Sequence, residues 1–337
     1  MILGDKAFIL VTGATGAVGP RVVAALCEEG YDVRTLSLDT PPPGIWPEGV
    51  RDIRMGDIND RAAIGSAVQG IDAVIHMAAL LHILNPSPEI RHQYERINVD
   101  GTANVVEAAR QAGVGRLVFF STIAVYGASA GGILTEDSPL HPDSFYAQTK
   151  VDAERIVLTA KRVDGTPLGT VLRLGAVYGA RIKGNYRRLL LALARGRFLP
   201  IGPGTNRRTL VYDRDAARAA VVAATNDTAA GKVFNVSDGR FHSMNEIIDT
   251  ICNALGRKPP EFTLPFSPVR RVAGILEDGA GLFGLQSPVT RDTIDKYSED
   301  IAVDGLRIQK ELGFIPHYDL SAGWKETVQE MRRMNSL

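Results

Sequence analysis

Residues 8–19, FILVTGATGAVG, constrain the fold of this chain more than any other stretch. A short apolar run, Phe8-Ile9-Leu10-Val11, ends at Thr12 and enters Gly13-x-x-Gly16-x-x-Gly19, after which Val22, Val23 and Leu26 recur at helical spacing. Strand, glycine turn and helix in that order outline a dinucleotide phosphate site. The first glycine permits a tight turn, the second lets a pyrophosphate approach the backbone, and the third lets helix and strand pack closely. The helix N-terminus then presents free N–H groups and a positive dipole end to the phosphates. Thr15, Ala17 and Val18 belong to the same candidate cradle. Glycines alone also mark ordinary turns; the flanking strand and helix give this motif its weight.

The rest of the first half continues the rhythm. Strands are expected near 7–11, 32–37, 50–54, 72–77, 115–121 and 168–173, and helices near 18–29, 60–69, 89–112, 144–163 and 183–195. Such alternation predicts an α/β fold, a doubly wound parallel (Rossmann) sheet with helices on both faces. Beyond residue 175 prolines and glycines loosen the pattern. A helix near 214–225 and a strand near 232–236 return to the sheet. The expected division is a dinucleotide-binding domain of residues 1–175 plus 209–237, and a smaller C-terminal substrate lobe of residues 176–208 plus 238–330. Glycines between Gly274 and Gly284 suggest a mobile lid or lobe surface.

Composition narrows the partners. Lys+Arg and Asp+Glu balance at 38 each, so no global field draws the chain to nucleic acid or to an anionic membrane. Local basic pairs such as Arg207-Arg208 and Arg270-Arg271 are a separate matter. Cys27 and Cys252 lie far apart, as inert thiols in a reducing cytosol would. No basic segment precedes a long apolar stretch, so a cytoplasmic chain without a membrane partner is expected. The six histidines show no ligand spacing, and His76 and His82 are expected as hydrogen-bonded loop residues rather than metal ligands.

Chemistry is suggested by Tyr146-Ala147-Gln148-Thr149-Lys150. The i,i+4 spacing puts Tyr146 and Lys150 on one helix face. A phenol with a pKa near ~10 is a poor base at neutral pH, and a cation one turn away should lower it. The pair then suits general acid/base exchange between alcohol and ketone. Thr122 follows a buried strand on the same rim and offers a hydroxyl to the reacting oxygen. A lone Tyr-x-x-x-Lys is commonplace; the glycine cradle and Thr122 give it context.

Together these segments resemble the extended short-chain dehydrogenase/reductase family, in its NAD-dependent epimerase/dehydratase branch (UDP-glucose 4-epimerase-like). The matching pieces are Gly56-Asp57-Ile58, His76-Met77-Ala78-Ala79, Asn98-Val99-x-Gly101-Thr102, Ser121-Thr122-x-x-Val125-Tyr126-Gly127, Tyr146-x-x-x-Lys150, Leu172-Arg173 before Val177-Tyr178-Gly179, and Leu312-Gly313-Phe314. The resemblance implies Thr122 and Tyr146 as catalytic residues and Lys150 as partner of both Tyr146 and the nicotinamide ribose. It places Asp57 and Ile58 beside the adenine, Ala78 and Ala79 along the phosphate and ribose path, and Val177 at the cofactor. Asn98 would join helix to strand. Arg208 would hold the diphosphate of a nucleotide sugar, a task suited to a bidentate guanidinium. The helices at 89–112 and 144–163 would pair across a homodimer.

Three departures matter. The end of the second strand carries Ser37, where a ribose-binding carboxylate is usual, and Asp39 follows two residues later. NAD is therefore favoured, while Arg34 and Arg21 keep NADP open. Ala176 stands where many sugar-nucleotide epimerases have an asparagine. Pro288-Val289-Thr290-Arg291 resembles reductase members acting on ketones or 4-keto sugars. The expected activity is nucleotide-sugar epimerisation through a transient 4-keto intermediate. The alternative is a ketoreductase or dehydrogenase of a 4-keto sugar or sterol-like substrate. A dehydratase would carry acidic residues where Ile123 and Ala124 stand, and a cofactor-sensing scaffold would not need Thr122, Tyr146 and Lys150.

Overall fold

The computed structural model describes residues 7–81, 83, 87–282, 287 and 290–337. His82, Gly284, Pro288 and Val289 lie outside the described residues. Strands β1 (Phe8–Thr12), β2 (Asp32–Ser37), β3 (Val50–Met55), β4 (Ala73–His76), β5 (Arg116–Thr122) and β6 (Gly169–Leu174) occupy the first half. They are followed by β7 (Ala176–Tyr178), β8 (Arg207–Arg208), β9 (Leu210–Tyr212), β10 (Val233–Val236) and β11 (His242–Ser243). The main sheet runs β10-β6-β5-β4-β1-β2-β3, with every neighbour parallel. The winding direction reverses at β1, which lies between β2 and β4, so a ligand crevice opens above the carboxyl ends of β1 and β4.

The helices are α1 (Gly19–Glu28), α2 (Arg61–Ala67), α3 (Pro88–Tyr94), α4 (Gly101–Gln111), α5 (Phe145–Thr159), α6 (Asn185–Ala194) and α7 (Asp213–Thr225). Then come α8 (Met244–Leu255), α9 (Phe266–Leu282), α10 (Arg291–Ser298), α11 (Leu306–Leu312) and α12 (Leu320–Arg333). Side chains alternate across a strand, and β1 shows the consequence. Ile9 and Val11 pack with α1, α7 and α11 on one face. Leu10 packs with α2, α4 and α5 on the other. Strands covered on both sides read as unbroken apolar runs, and β4 is buried throughout. A third apolar core joins Leu190 of α6, Ile248 of α8 and Trp324 of α12. β7 pairs with β9 beside the main sheet, and β8 pairs antiparallel with β11.

Three expectations are corrected. The segment 89–112 is not one regular helix: a π-helical turn over Glu95–Asp100 separates α3 from α4. That turn buries Asn98, which does not join helix to strand. Its Nδ2 donates to Leu80 O (3.1 Å) and Thr149 Oγ1 (3.2 Å), and its Oδ1 accepts from Leu80 N–H (2.8 Å). It therefore ties the loop after β4 to α5. The described part of the glycine-rich region, up to residue 282, is lobe surface as expected, but it is helical within α9 rather than a lid. Gly274 sits there because a Cβ would fall 2.4 Å from Arg291 Nε, so the glycine lets α10 approach. No described helix is long and apolar enough to cross a membrane.

Candidate active site

The glycine turn is tight for reasons visible at each glycine. Gly13 has φ +71°, and a Cβ there would fall 2.6 Å from Ala78 N; only glycine lets the end of β1 lie this close to the loop after β4. A Cβ on Gly19 would fall 2.0 Å from Ala14 O, so the start of α1 touches the turn before it. Gly13 N–H donates to Leu36 O (2.8 Å) and Gly16 N–H to Gly13 O (2.9 Å). Thr15 N–H donates to Ser37 Oγ (3.1 Å), so the Ser37 hydroxyl already braces the turn. The N–H groups of Ala17 and Val18, at the entry to α1, donate no hydrogen bond among the described residues. A Cβ on Gly13 or Gly19 would meet the backbone of Ala78 or Ala14, and the unpaired N–H groups of Ala17 and Val18 suit a pyrophosphate.

Around the cradle, Asp39 is exposed just beyond β2, and Ala78 and Ala79 are half-buried after β4. Asp57 follows β3 and accepts from the backbone and side-chain amides of Asn59 (2.9 Å each). Ile58 is buried against Gly101. Both arginines that had left NADP open are committed elsewhere. Arg34 Nε is paired with Asp52 Oδ2 (2.6 Å), and its Nη1 donates to Ala67 O and Gln69 O. Arg21 is paired with Asp213 and Glu330.

Beside the crevice lies the second group. Thr122 ends β5, and its Oγ1 accepts from Ala124 N–H (3.2 Å), capping a 3-10 turn over Ile123–Tyr126. Ser144 caps α5 through Ala147 N–H, which sets Tyr146 in the first turn. The half-buried Tyr146 ring lies 6.2 Å from that of Tyr94. Tyr94 is itself pinned to the loop after β4 by its hydroxyl bonds with Leu81 O (2.5 Å) and Ile83 N–H (2.6 Å). One turn on, Lys150 is buried with its Nζ 4.1 Å from the centre of the Phe119 ring on β5.

The electrostatics differ from the sequence expectation. Burial, with a contribution from Tyr94, pushes the Tyr146 phenol up rather than down. Burial also pushes Lys150 down to about 7, against the pull of Glu154. Lys150 is not among the causes acting on Tyr146, and it is itself desolvated. Burial and the charge of Lys150 bring His76 down to about 3. His76 is part of β4, not of a loop. Its Nδ1 lies 2.7 Å from Thr12 Oγ1 and its Nε2 lies 3.1 Å from Thr102 Oγ1. Thr102 already donates its proton to Asn98 O (2.7 Å). His76 therefore donates from Nε2 and accepts at Nδ1.

Sequence reasoning missed the buried charges behind this group. Glu154 lies one turn after Lys150 and receives Ser121 Oγ (2.5 Å), Arg173 Nε (3.1 Å) and Arg173 Nη2 (2.6 Å). Arg173 Nη1 donates to Tyr126 Oη (2.8 Å), which donates to Asn235 Oδ1 (2.8 Å). The network ties the ends of β5, β6 and β10 to α5. A glutamate at i+4 from Lys150 on the apolar face of α5 was the available signal.

Arg208, on β8, donates through Nη2 to Lys296 O (2.6 Å) and Tyr297 O (2.8 Å); its Nε and Nη1 have no partner among the described residues. Its charge opposes the rise of the half-buried Tyr186 phenol, which desolvation still pushes up to about 12. Tyr186 helps line an open cleft of about 320 Å³ with Val177, Lys183, Asn185, Arg187 and Trp324. Arg187 Nε, Trp324 Nε1 and Tyr178 Oη are buried there without a hydrogen-bond partner. The structure thus places Val177 in a cleft rich in unpaired donors, while Arg208 does not line it and acts on it only through its charge on Tyr186. The described residues hold no cluster suited to a metal ion.

A parallel sheet with its switch point at a glycine turn, and a hydroxyl–phenol–amine group beside it, defines a dinucleotide-dependent enzyme of the extended short-chain type. Residues 9–237 match the NAD dependent epimerase/dehydratase family, and the chain belongs to it. It is 28% identical to the N-acetyl-alpha-D-glucosaminyl-diphospho-ditrans,octacis-undecaprenol 4-epimerase of Escherichia coli O157:H7, over 95% of this chain and 94% of that protein. It is also 28% identical to the UDP-glucose 4-epimerase of Vibrio cholerae, over the full length of both. Among solved structures, MoeE5 in complex with UDP-glucose and NAD superimposes with a TM-score of 0.76 at 28% identity, covering 98% of this chain and 100% of that one.

Proposed function

We propose that this chain is an NAD-dependent 4-epimerase of a sugar carried on a diphosphate, with a nucleotide sugar as substrate. The observation that carries the reading is the glycine turn after β1, with unpaired N–H groups at the start of α1, in a chain that also sets Thr122 at the end of β5 and Tyr146 and Lys150 one turn apart on α5. Gly13, Thr15, Gly16, Ala17, Val18 and Gly19 would hold the pyrophosphate of NAD. Asp39, Asp57 and Ile58 would border the adenosine half, and Ala78, Ala79, Lys150 and Val177 the nicotinamide half. Ser37 contributes by bracing Thr15. NAD bound there supplies a hydride acceptor and donor and a positively charged ring.

The chain's own residues move the protons. Tyr146 takes the proton of the sugar 4-hydroxyl and returns it to the 4-keto oxygen after the sugar has turned over. Thr122 holds the same oxygen by a hydrogen bond. Because burial raises the phenol, forming the phenolate requires a nearby cation, which the protonated fraction of Lys150 and the positively charged ring of bound NAD would supply together. Arg208 binds the substrate diphosphate through its unpaired edge, and the lobe of residues 176–208 and 238–330 covers the sugar. The free cysteines Cys27 and Cys252 fit a reducing cytoplasm, and a homodimer belongs to the same family reading.

The test is incubation with NAD and UDP-glucose or UDP-N-acetylglucosamine, with the sugar followed by proton NMR. The 4-epimer should form without net NADH. Ala176, in place of an asparagine that often contacts substrate phosphates in related epimerases, favours one second reading, a single-pass ketoreductase. Stoichiometric consumption of NADH with a keto substrate, and no epimer, would establish that reading instead.

A further inference from the structure

We propose that helix α9 and the segment leading into it dock onto an anionic lipid bilayer surface. The inner side of α9 is committed to α10: Ala273 is buried, Gly274 lies under Arg291, and ion pairs join Arg270 to Asp295 (2.6 Å) and Glu277 to Arg291 (3.3 Å). Asp278 is held by Arg291 as well. The opposite side carries Arg271, Val272, Ile275 and Leu276, three and four residues apart and so on one stripe. Val272 is 55% exposed, Ile275 70% and Leu276 55%. The approach to α9 continues this character, because Phe262 is 76% exposed. Leu264 is paired in parallel with Ile201, and Leu264 N–H bonds to Pro200 O (2.8 Å). That pairing lays the exposed Leu199 along the same edge.

Charge identifies the occupant. Arg195, Arg197, Arg257 and Lys258 are exposed and lie within a few residues of Leu199 and Phe262 in the chain. Neither they nor Arg271 form an ion pair among the described residues. The Gly196 backbone lies next to Arg257, with a built Cβ 3.6 Å from Nη1, which draws the two basic runs together. Against these five cations the run from Arg257 to Phe262 holds one carboxylate, Glu261. Exposed aliphatic side chains flanked by unpaired cations suit a membrane interface: the former enter the acyl boundary, and the latter meet the headgroup phosphates. A protein of zero net charge has no general attraction to anions, so selective binding must come from this face. Vesicle binding by this face is read without turnover.

The experiment is co-sedimentation of the full chain with vesicles of phosphatidylglycerol and phosphatidylcholine, and with vesicles of phosphatidylcholine alone. Binding to the anionic vesicles is expected, and it should weaken as salt is added. Arg271→Gln should lower the partition coefficient about fivefold. The pair Ile275→Ser and Leu276→Ser should lower it more than about tenfold. Val163→Ser, which alters another exposed apolar residue (86%), should leave it unchanged. All replaced side chains are exposed, and a thermal melt confirms that each variant is folded. Failure of the folded wild type to sediment with anionic vesicles would overturn the proposal, as would undiminished binding by the stripe variants. Self-association abolished by those variants, with no vesicle binding, would assign the face to a second copy of the chain and overturn it equally.

Discussion

Replacing Lys150 with methionine should change how stability depends on pH, and the size of the change follows from burial. Lys150 falls from an ordinary value of 10.5 to about 7 because its ammonium is desolvated. Below about pH 7 both folded and unfolded chains hold the proton, and the full burial penalty opposes folding. Between about 7 and 10.5 the unfolded chain keeps a proton that the folded chain has released, so unfolding free energy rises with pH by about 1.4 kcal/mol per unit. Above 10.5 neither state carries it and the penalty is gone. Integrated from pH 7 to 9.5, wild type should gain about 3 kcal/mol relative to Lys150→Met. His76, at about 3, is neutral throughout this window. Cys27, raised to about 11, titrates alike in both proteins and cancels in the difference. The assay is urea unfolding of both proteins at four pH values without added cofactor. Parallel stability curves would refute the reasoning, because Lys150 would then keep its proton in the fold.

Gly19→Ala places a Cβ against Ala14 O and should cost about 2–3 kcal/mol in urea unfolding while weakening NAD binding in calorimetry. Unchanged values for both would mean the turn is looser than described. Glu154→Leu leaves Arg173 buried without its carboxylate and should cost about 3–5 kcal/mol, most of it recovered when Arg173→Met is added. A double variant no more stable than the single would count against the coupling. Arg208→Ala should raise the Kd of a nucleotide sugar about 10–100-fold, and an unchanged Kd would remove Arg208 from the substrate site.

Much of the fold was legible because buried parallel strands read as apolar runs: β4, β5 and β6 fall within a residue or two of their expected positions. The cradle was legible for a similar reason, since Gly13 and Gly19 answer to local backbone geometry. What stayed hidden depends on contacts distant in sequence. The π-helical turn exists because Asn98 reaches back to Leu80 and across to Thr149, and no local pattern marks it. Glu154 sits at i+4 from Lys150 on the apolar face of α5, but what neutralises it there shows only when Arg173, 19 residues later, is brought beside it. Gly274 suggested mobility, yet it is a contact point for Arg291. The spacing of Tyr146 and Lys150 was read correctly, but their charge states were not, because i,i+4 spacing carries no information about desolvation.

The most direct test of the account is single-turnover mixing of the NAD-loaded chain with a UDP-sugar, following reduced nicotinamide by its absorbance, in wild type and in Tyr146→Phe. The account predicts transient reduction in wild type and a loss of about 10²–10⁴-fold in its rate in the variant. Reduction in Tyr146→Phe within about tenfold of wild type would contradict the acid/base role on which the account rests.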